Sequence, residues 1–326
     1  MKAKSLASKW LRGSNVRTPI NLFQFQRKAF YSSYNLVRVF YAIALYLPVS
    51  RLDVWSQWSN AKYISPLWPV YWINLTGVRT GVIIIVTFSV VSALLCLLFS
   101  HKRVFRIIWF IAVLNYVGFN FSFGKIDHYY HVVLAFSFIF IFLPDGKKEF
   151  IENSRILMQR YLTIFWGALL LFMTFYSMSG MWKIVAGIAQ LVSGETSIFH
   201  SSAFALHVAH KILQLNSETI LGAFFIKHEL LGWFFFISAI YIELFSVIAI
   251  FRYSLHRIWG LFLILLHIGI YLAMEIDFAI NVLFLAVFLC NSPFIPPGNK
   301  LGEALKDLPL VAIILTTLNP KRTKAE

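Results

Sequence analysis

Long runs of apolar residues, each close to twenty residues, dominate the hydropathy pattern of this chain. About 20 apolar residues are needed for a helix to cross the hydrocarbon core of a bilayer, so these runs are candidate membrane spans. Eight runs meet this criterion, at residues 34–50, 79–99, 104–123, 128–144, 161–184, 229–251, 256–274 and 276–294. The pattern predicts an all-α integral membrane protein with about eight transmembrane helices in a polytopic bundle.

Three further segments have a mixed polar and apolar pattern. Residues 51–78 are rich in Trp and Tyr and contain Pro66 and Pro69, which is typical of an aromatic re-entrant or interfacial segment. Residues 195–228 contain the amphipathic stretch FHSSAFALHVAHKILQL, which predicts a helix on the outer surface. The stretch LPLVAIILTTL at 308–318 is too short to span and predicts a short interfacial helix.

The composition agrees with a protein whose solvent is a lipid bilayer. Hydrophobic residues make up 59% of the chain and charged residues only 13%, with a mean hydropathy of +0.72. Cys96 and Cys290 lie inside apolar runs and form no disulfide framework. The chain has no Gly-rich phosphate loop, zinc-finger spacing or basic helix with interleaved aromatics, so we expect no nucleic-acid partner.

The basic residues predict the orientation of the chain. The formal net charge is +15, from 29 basic and 14 acidic residues. With a cytoplasmic N-terminus, 21 of the 29 basic residues lie on the cytoplasmic side and six on the outer side, which is a strong positive-inside bias. We therefore expect a multi-pass protein of the cell membrane with both termini cytoplasmic. Its expected parts are a basic tail at 1–33, a transmembrane domain at 34–294 and a second basic tail at 295–326.

Several titratable side chains fall at similar depths in this topology. An ionisable group inside a span is costly unless it is paired or faces a wet cavity, so each is a candidate functional residue. His267 lies eight residues before Glu275, which places it roughly 12 Å deeper. The side chains at the outer ends of three hairpins are Asp127, His128, His131, Lys183, Glu275 and Asp277. These positions predict a polar cluster open to the outer half of the membrane.

Each of these residues also has a purely structural interpretation. Lys183 could extend its amine to the lipid headgroups, and Asp127 could satisfy His131 four residues later on the same helix face. The two acidic residues of the last outer turn could be ordinary loop residues. His267 lies near mid-membrane and needs a partner in either interpretation.

Two other sets of polar residues lie apart from this cluster. Arg38 and Glu243 are both assigned to the inner half of the membrane, and we expect them to form a buried ion pair with a structural role. His200, His207 and His210 have the spacing of a metal set, but the carboxylate or thiolate that would strengthen it is missing. We therefore predict no metal site.

Three segments occur in an order that resembles a known family. They are FGKIDHYYHVVLAFSFIFIFLP, FYSMSGMWKI and LLHIGIYLAMEIDFAINVLFLAVFLCNSPF. They resemble the transmembrane domain of vitamin K-dependent gamma-glutamyl carboxylase and its bacterial relatives, the HTTM family, over most of residues 34–294. The family's proposed base, a lysine that deprotonates a reduced quinone, corresponds to Lys183. Family histidines correspond to His267 and, within one position, to His128. The first lysine of the family's pair is replaced by Trp182.

The resemblance leaves two functions open. The first is a membrane enzyme that uses a reduced quinone, with Lys183 as base and His128 and His267 positioning the ring. The second is a non-catalytic factor for maturing or exporting a secreted peptide or small partner subunit, similar to the sporulation-delaying protein B type. The family's carboxylases carry a large luminal part, so self-contained glutamate carboxylation is not expected here. Under either function, the binding residues of the outer site are Asp127, His131, Trp182, Glu275 and Asp277.

Overall fold

The computed structural model describes residues 22–49, 57–58, 61, 64–124, 129–216, 218–299 and 301–311. This part of the chain is helical and contains no β-strand. The chain divides into two compact units, whose described parts are residues 22–168 (the N-terminal unit) and 169–311 (the C-terminal unit). The prediction of an all-α protein is confirmed for the described residues.

The N-terminal unit contains six helices and the start of a seventh that continues into the C-terminal unit. They are α1 Leu22–Val49, α2 Ile73–Thr76, α3 Val78–Phe99, α4 Arg103–Phe121, α5 His131–Phe140, α6 Lys148–Glu152 and α7 Arg155–Ser193. Helix α3 packs against both α1 and α4, and α4 packs in turn against α5. Buried aromatic rings fill the core, where Phe40 contacts Phe136 and Phe140, and Phe140 stacks on Phe165.

The C-terminal unit contains the second half of α7 and a series of shorter helices. They are α8 Ala203–Leu215, α9 Gly222–Lys227, α10 Glu229–Leu244, α11 Ser246–Ile250, α12 His256–Met274, α13 Ala279–Phe284 and α14 Leu301–Ala304. Helix α13 continues as a π-helical turn at Leu285–Leu289. Helix α12 packs against α10 and against this π-helical turn.

Four helices of the described chain are long and apolar enough to cross a membrane. They are Val78–Phe99, Arg103–Phe121, Arg155–Ser193 and Tyr253–Met274. The protein is therefore helical, with several candidate membrane spans.

The eight spans predicted from hydropathy are reproduced only in part. The runs at 128–144 and 276–294 contain shorter apolar helices, His131–Phe140 and Ala279–Leu289. The run at 229–251 is divided between α10 and α11, with a break at Phe245. The hydropathy pattern did not reveal these interruptions because it does not report where the backbone leaves the α-helical path.

The aromatic segment predicted at 51–78 is described from residue 64 onward, apart from three isolated earlier residues. It packs along the end of α4, where the Leu67 amide donates to the Ser122 hydroxyl at 3.1 Å. The Trp72 indole donates to the Asn115 side chain at 2.9 Å. Trp68 remains 72% exposed, as an aromatic residue at a membrane interface would be. The apolar stretch at 308–318 lies mostly outside the described residues.

A buried arginine joins the connections at one end of the N-terminal unit. Arg106 is 1% exposed, and its guanidinium donates to the carbonyl oxygens of Ser100 at 2.6 Å and Leu143 at 2.5 Å. It also donates to the Asp145 carboxylate at 2.9 Å, and this carboxylate accepts the backbone amide of Arg103 at 2.7 Å. One planar guanidinium thus connects the α3–α4 turn to the segment after α5.

A carboxylate on α6 predicts an acid-sensitive contribution to stability. Hydrogen bonds from Tyr31 and Arg27 hold the pKa of Glu152 below its ordinary value, although burial opposes this shift. Because the pKa of Glu152 is lower in the folded state, its carboxylate stabilises the fold at pH values above its unfolded pKa of about 4.5. This contribution is lost as the pH falls through the folded-state pKa. We expect Glu152→Gln to melt below the parent at pH 7 and the difference to shrink below pH 4.5. Melting temperatures measured across this range test the prediction, with exposed Glu149→Gln as control. A difference that stays constant with pH would contradict it.

Candidate functional site

Three residues of α7 share one face of the helix. Tyr176, Gly180 and Lys183 are spaced i, i+4 and i+7, which aligns side chains along a helix. The span predicted at 161–184 ends near Lys183, whereas α7 continues to Ser193. Lys183 is therefore inside a long helix and not in its last turn, which corrects the expectation from sequence.

Gly180 brings the backbone of α7 against the end of α10. A Cβ atom at this position would lie 2.5 Å from the backbone nitrogen of Leu244 and 2.9 Å from its Cα. No side chain fits in that space, so only glycine allows the two helices to approach this closely. This contact places the next turn of α7, which carries Lys183, beside the last turn of α10.

The helix breaks between α10 and α11, directly after the contact with Gly180. Helix α10 ends at Leu244 and α11 begins at Ser246, which frees backbone groups from their helical partners. The Ser177 hydroxyl donates to the Leu244 carbonyl at 2.9 Å and accepts the Val247 amide at 2.8 Å. Ser177 thus satisfies the broken backbone and holds the two segments in register with α7.

An ion pair forms where α7 and α10 meet. The Lys183 amine contacts the Glu243 carboxylate, and the two side chains are 32% and 7% exposed. We expected Glu243 to pair with Arg38, but the structure assigns its carboxylate to Lys183, while Arg38 is exposed on α1. The two paired residues therefore lie at one level. The predicted pairing of Glu243 with Arg38 stays a prediction, and the contact that the structure describes for Glu243 is the one with Lys183.

A second polar contact lies next to the ion pair. The Tyr176 hydroxyl and the His267 Nε2 atom are 2.7 Å apart, and His267 is 5% exposed. Lys183 is close enough to interact electrostatically with His267, and Glu243 with Tyr176. We call these four residues (Tyr176, Lys183, Glu243 and His267) the Lys183 cluster. Two of the three predicted catalytic residues are thus brought together.

One atom of the cluster lacks a hydrogen-bond partner. The Nδ1 atom of His267 is buried and has no partner among the described residues. The imidazole ring lies 4.5 Å from the Phe278 ring, centroid to centroid. A flat aromatic surface therefore borders the polar groups of the cluster.

The predicted amphipathic helix is present as α8. It packs on α9, α10 and α12 through a small hydrophobic cluster that includes Phe204 and Val208. Its exposed His207 contacts the Phe236 ring, and partial desolvation lowers the pKa of this histidine, with smaller contributions from the charges of His210 and Lys183. Helix α8 therefore packs on the two helices that carry Glu243 and His267.

Other predicted site residues lie elsewhere on the described chain. Trp182 is 73% exposed beside Lys183. Glu275 is exposed in a left-handed conformation at the end of α12. The exposed Asp277 accepts the backbone amide of Ala279 at 2.7 Å, as in an Asx turn. None of these contacts joins Glu275 or Asp277 to the Lys183 cluster.

The remaining predicted residues belong to the N-terminal unit. His131 begins α5, and its ring contacts Phe121 with a centroid separation of 5.7 Å. Asp127 and His128 lie outside the described residues. Their predicted roles as binding and catalytic residues stay predictions.

The histidines considered for metal binding have other contacts. The His200 Nδ1 atom lies 2.7 Å from the Ser202 hydroxyl, and His207 contacts Phe236. Within the described ranges, no group of three or more His, Cys, Asp or Glu side chains could hold a metal ion.

Two residues of the site were not identified from sequence. Tyr176 and Ser177 are neutral at physiological pH, so the search for charged residues and histidines in spans passed over them. Their spacing from Gly180 and Lys183 on a helix is the signal that could have identified them.

No protein-family model matches this chain, and no curated protein or solved structure matches it either. The functional assignment therefore depends on the chemistry of the site.

Proposed function

We propose that this protein is a multi-pass membrane enzyme of the HTTM type, with the Lys183 cluster as its active site. The proposed substrate is a reduced, quinone-like lipid, and Lys183 is the proposed base. The observation that carries the proposal is the contact between the Lys183 amine and the Glu243 carboxylate, formed beside the Tyr176–His267 hydrogen bond between apolar helices. Ionisable groups at such a position are costly and mark sites of function.

The arrangement supports proton abstraction from a flat lipid. A hydroquinone must lose a hydroxyl proton to become a reactive anion, and a neutral lysine amine accepts such a proton when it is shielded from water. The ammonium that results then stabilises the anion beside it. The imidazole of His267, bordered by the Phe278 ring, offers a flat surface and a hydrogen-bonding atom for the ring of the substrate.

The lipid that co-purifies with the protein is the first test of this proposal. Native mass spectrometry of the protein released from detergent should detect a bound quinone in the parent. Less should be bound to His267→Leu, which removes the hydrogen-bonding ring. A bound secreted peptide or small subunit, with no quinone, would contradict the proposal and favour the non-catalytic maturation factor.

Substitution of Lys183 tests the proposed base. Protein incubated anaerobically with menadiol is mixed with dioxygen, which oxidises menadiol to menadione and is reduced to hydrogen peroxide. The hydroquinone anion reacts faster than the neutral form, so the parent should accelerate this oxidation. Lys183→Arg should lose about 100-fold of the protein-dependent rate, because arginine stays protonated in proteins.

The matched control is Lys227→Arg, which makes the same change at an exposed lysine of α9. It should oxidise menadiol at the rate of the parent. If Lys183→Arg folds and also retains that rate, Lys183 is an anchor at the interface and the proposed base is wrong.

A further inference from the structure

We infer that Glu243 is a positioning residue that shares one proton with Lys183, so that the two side chains act as a single acid–base unit. This inference rests on the proposed function for its substrate. The ion pair itself is a property of the chain that can be tested without any substrate.

The position of Glu243 supports this role. Its side chain is 7% exposed and contacts the Lys183 amine, whereas Lys183 is 32% exposed. The lysine is thus the member of the pair that a lipid can reach, and the carboxylate is the member shielded behind it. Other titratable groups near Lys183 are His267 on α12 and His207 on α8, and Tyr176 is near Glu243.

The backbone around Glu243 supports the same role. The carboxylate lies in the last turn of α10, one residue before the contact between Leu244 and Gly180. The Ser177 hydroxyl bonds to the freed backbone on both sides of the helix break. A side chain that positions a base needs such support to keep its geometry, because small displacements of the reacting group are costly.

The proton steps balance within the pair. The Lys183 ammonium first passes a proton to the Glu243 carboxylate, which breaks an N–H bond, forms an O–H bond and leaves a neutral amine and a neutral acid. The amine then accepts the hydroxyl proton of the hydroquinone, which breaks that O–H bond and forms a new N–H bond. The products are the hydroquinone anion, the Lys183 ammonium and protonated Glu243, with the net charge unchanged.

This sharing predicts a specific pH profile for Glu243→Gln. In the parent, a pair with one shared proton can deprotonate menadiol over a broad range of pH around neutrality. In the variant, Lys183 must first lose its proton to solvent, which becomes easier as the pH rises. The parent should oxidise menadiol about tenfold faster than the variant at pH 6, and this ratio should shrink towards pH 9. The background rate of Lys183→Met is subtracted at each pH.

The control is Glu229→Gln, which changes an exposed carboxyl at the start of the same helix and should keep the parent profile. A purely structural role for Glu243 predicts a parent-to-variant ratio that does not change with pH. That result would overturn the inference.

Labelling of Lys183 tests the pair without menadiol. Fluorodinitrobenzene reacts with an amine only in its neutral form, and labelling of Lys183 is measured by mass spectrometry relative to Lys227. In Glu243→Gln no carboxylate takes up the proton that Lys183 loses, so labelling of Lys183 at pH 6 should decrease several-fold and approach that of the parent towards pH 9. Unchanged or increased labelling would overturn the shared proton, because a simple ion pair only keeps the proton on the amine. Decreased labelling, with no acceleration of menadiol oxidation by the parent, would leave the pair intact and reject the proposed function instead.

Discussion

Arg106→Met is expected to lower the free energy of unfolding by about 2–4 kcal/mol, because it leaves two buried carbonyl groups without a donor. These carbonyls belong to Ser100 and Leu143, and both residues are buried. The Asp145 carboxylate is 61% exposed and can bind water instead, so it adds little to the loss. Arg106→Lys should recover only part of the stability, because a point charge does not reproduce the planar geometry of the guanidinium.

The matched control for this prediction is Arg103→Met. Arg103 is exposed, and the bond to Asp145 uses its backbone amide, which the substitution retains. We expect a change within about 0.5 kcal/mol for the control. Denaturation followed by tryptophan fluorescence in detergent compares the variants. Equal losses for the two methionine variants would show that the buried hydrogen bonds contribute nothing beyond an exposed charge.

Gly180→Ala is expected to destabilise the C-terminal unit by about 1–3 kcal/mol, because the new Cβ collides with backbone. The collision is with the Leu244 nitrogen, which cannot move as the end of a flexible side chain does. Separation of α7 from α10 would also lengthen the contact between Lys183 and Glu243. The variant should therefore lose menadiol oxidation together with stability.

Gly167→Ala is the control on the same helix. A Cβ at this position has nothing within 4 Å, and alanine favours a helix over glycine by about 0.5–1 kcal/mol. The melting temperature of this variant should stay level or increase, while that of Gly180→Ala decreases. If both variants were stabilised equally, α7 and α10 would not approach as closely as the structure shows.

The helical architecture could be predicted because the hydropathy of each apolar run is a local property that can be calculated from its own residues. The run at 79–99 corresponds closely to α3, and the amphipathic stretch near Ala203 forms α8. The run at 229–251 was predicted as one span, although its backbone breaks at Phe245. That break is stabilised by Ser177, more than sixty residues away, and a local pattern does not contain this information.

The sequence identified the titratable residues of the site, but it did not predict the contact between Lys183 and Glu243. Lys183, Glu243 and His267 were each identified because a titratable group among apolar residues needs a partner. The sequence named only Arg38 as the partner of Glu243, from depths estimated by counting residues from the ends of the runs. Such a count does not contain the extension of α7 beyond its apolar run or the early end of α10.

The sequence by itself determined that this chain is helical and that several of its helices are long and apolar enough to cross a membrane. It also determined that a few buried polar groups need hydrogen-bond or ion-pair partners. Only the tertiary structure decided which groups meet. The close approach at Gly180 and the helix break at Phe245 together place Lys183 beside Glu243. Hydropathy measures the transfer of each residue from water to lipid, whereas depth and rotation arise from packing between helices distant in sequence.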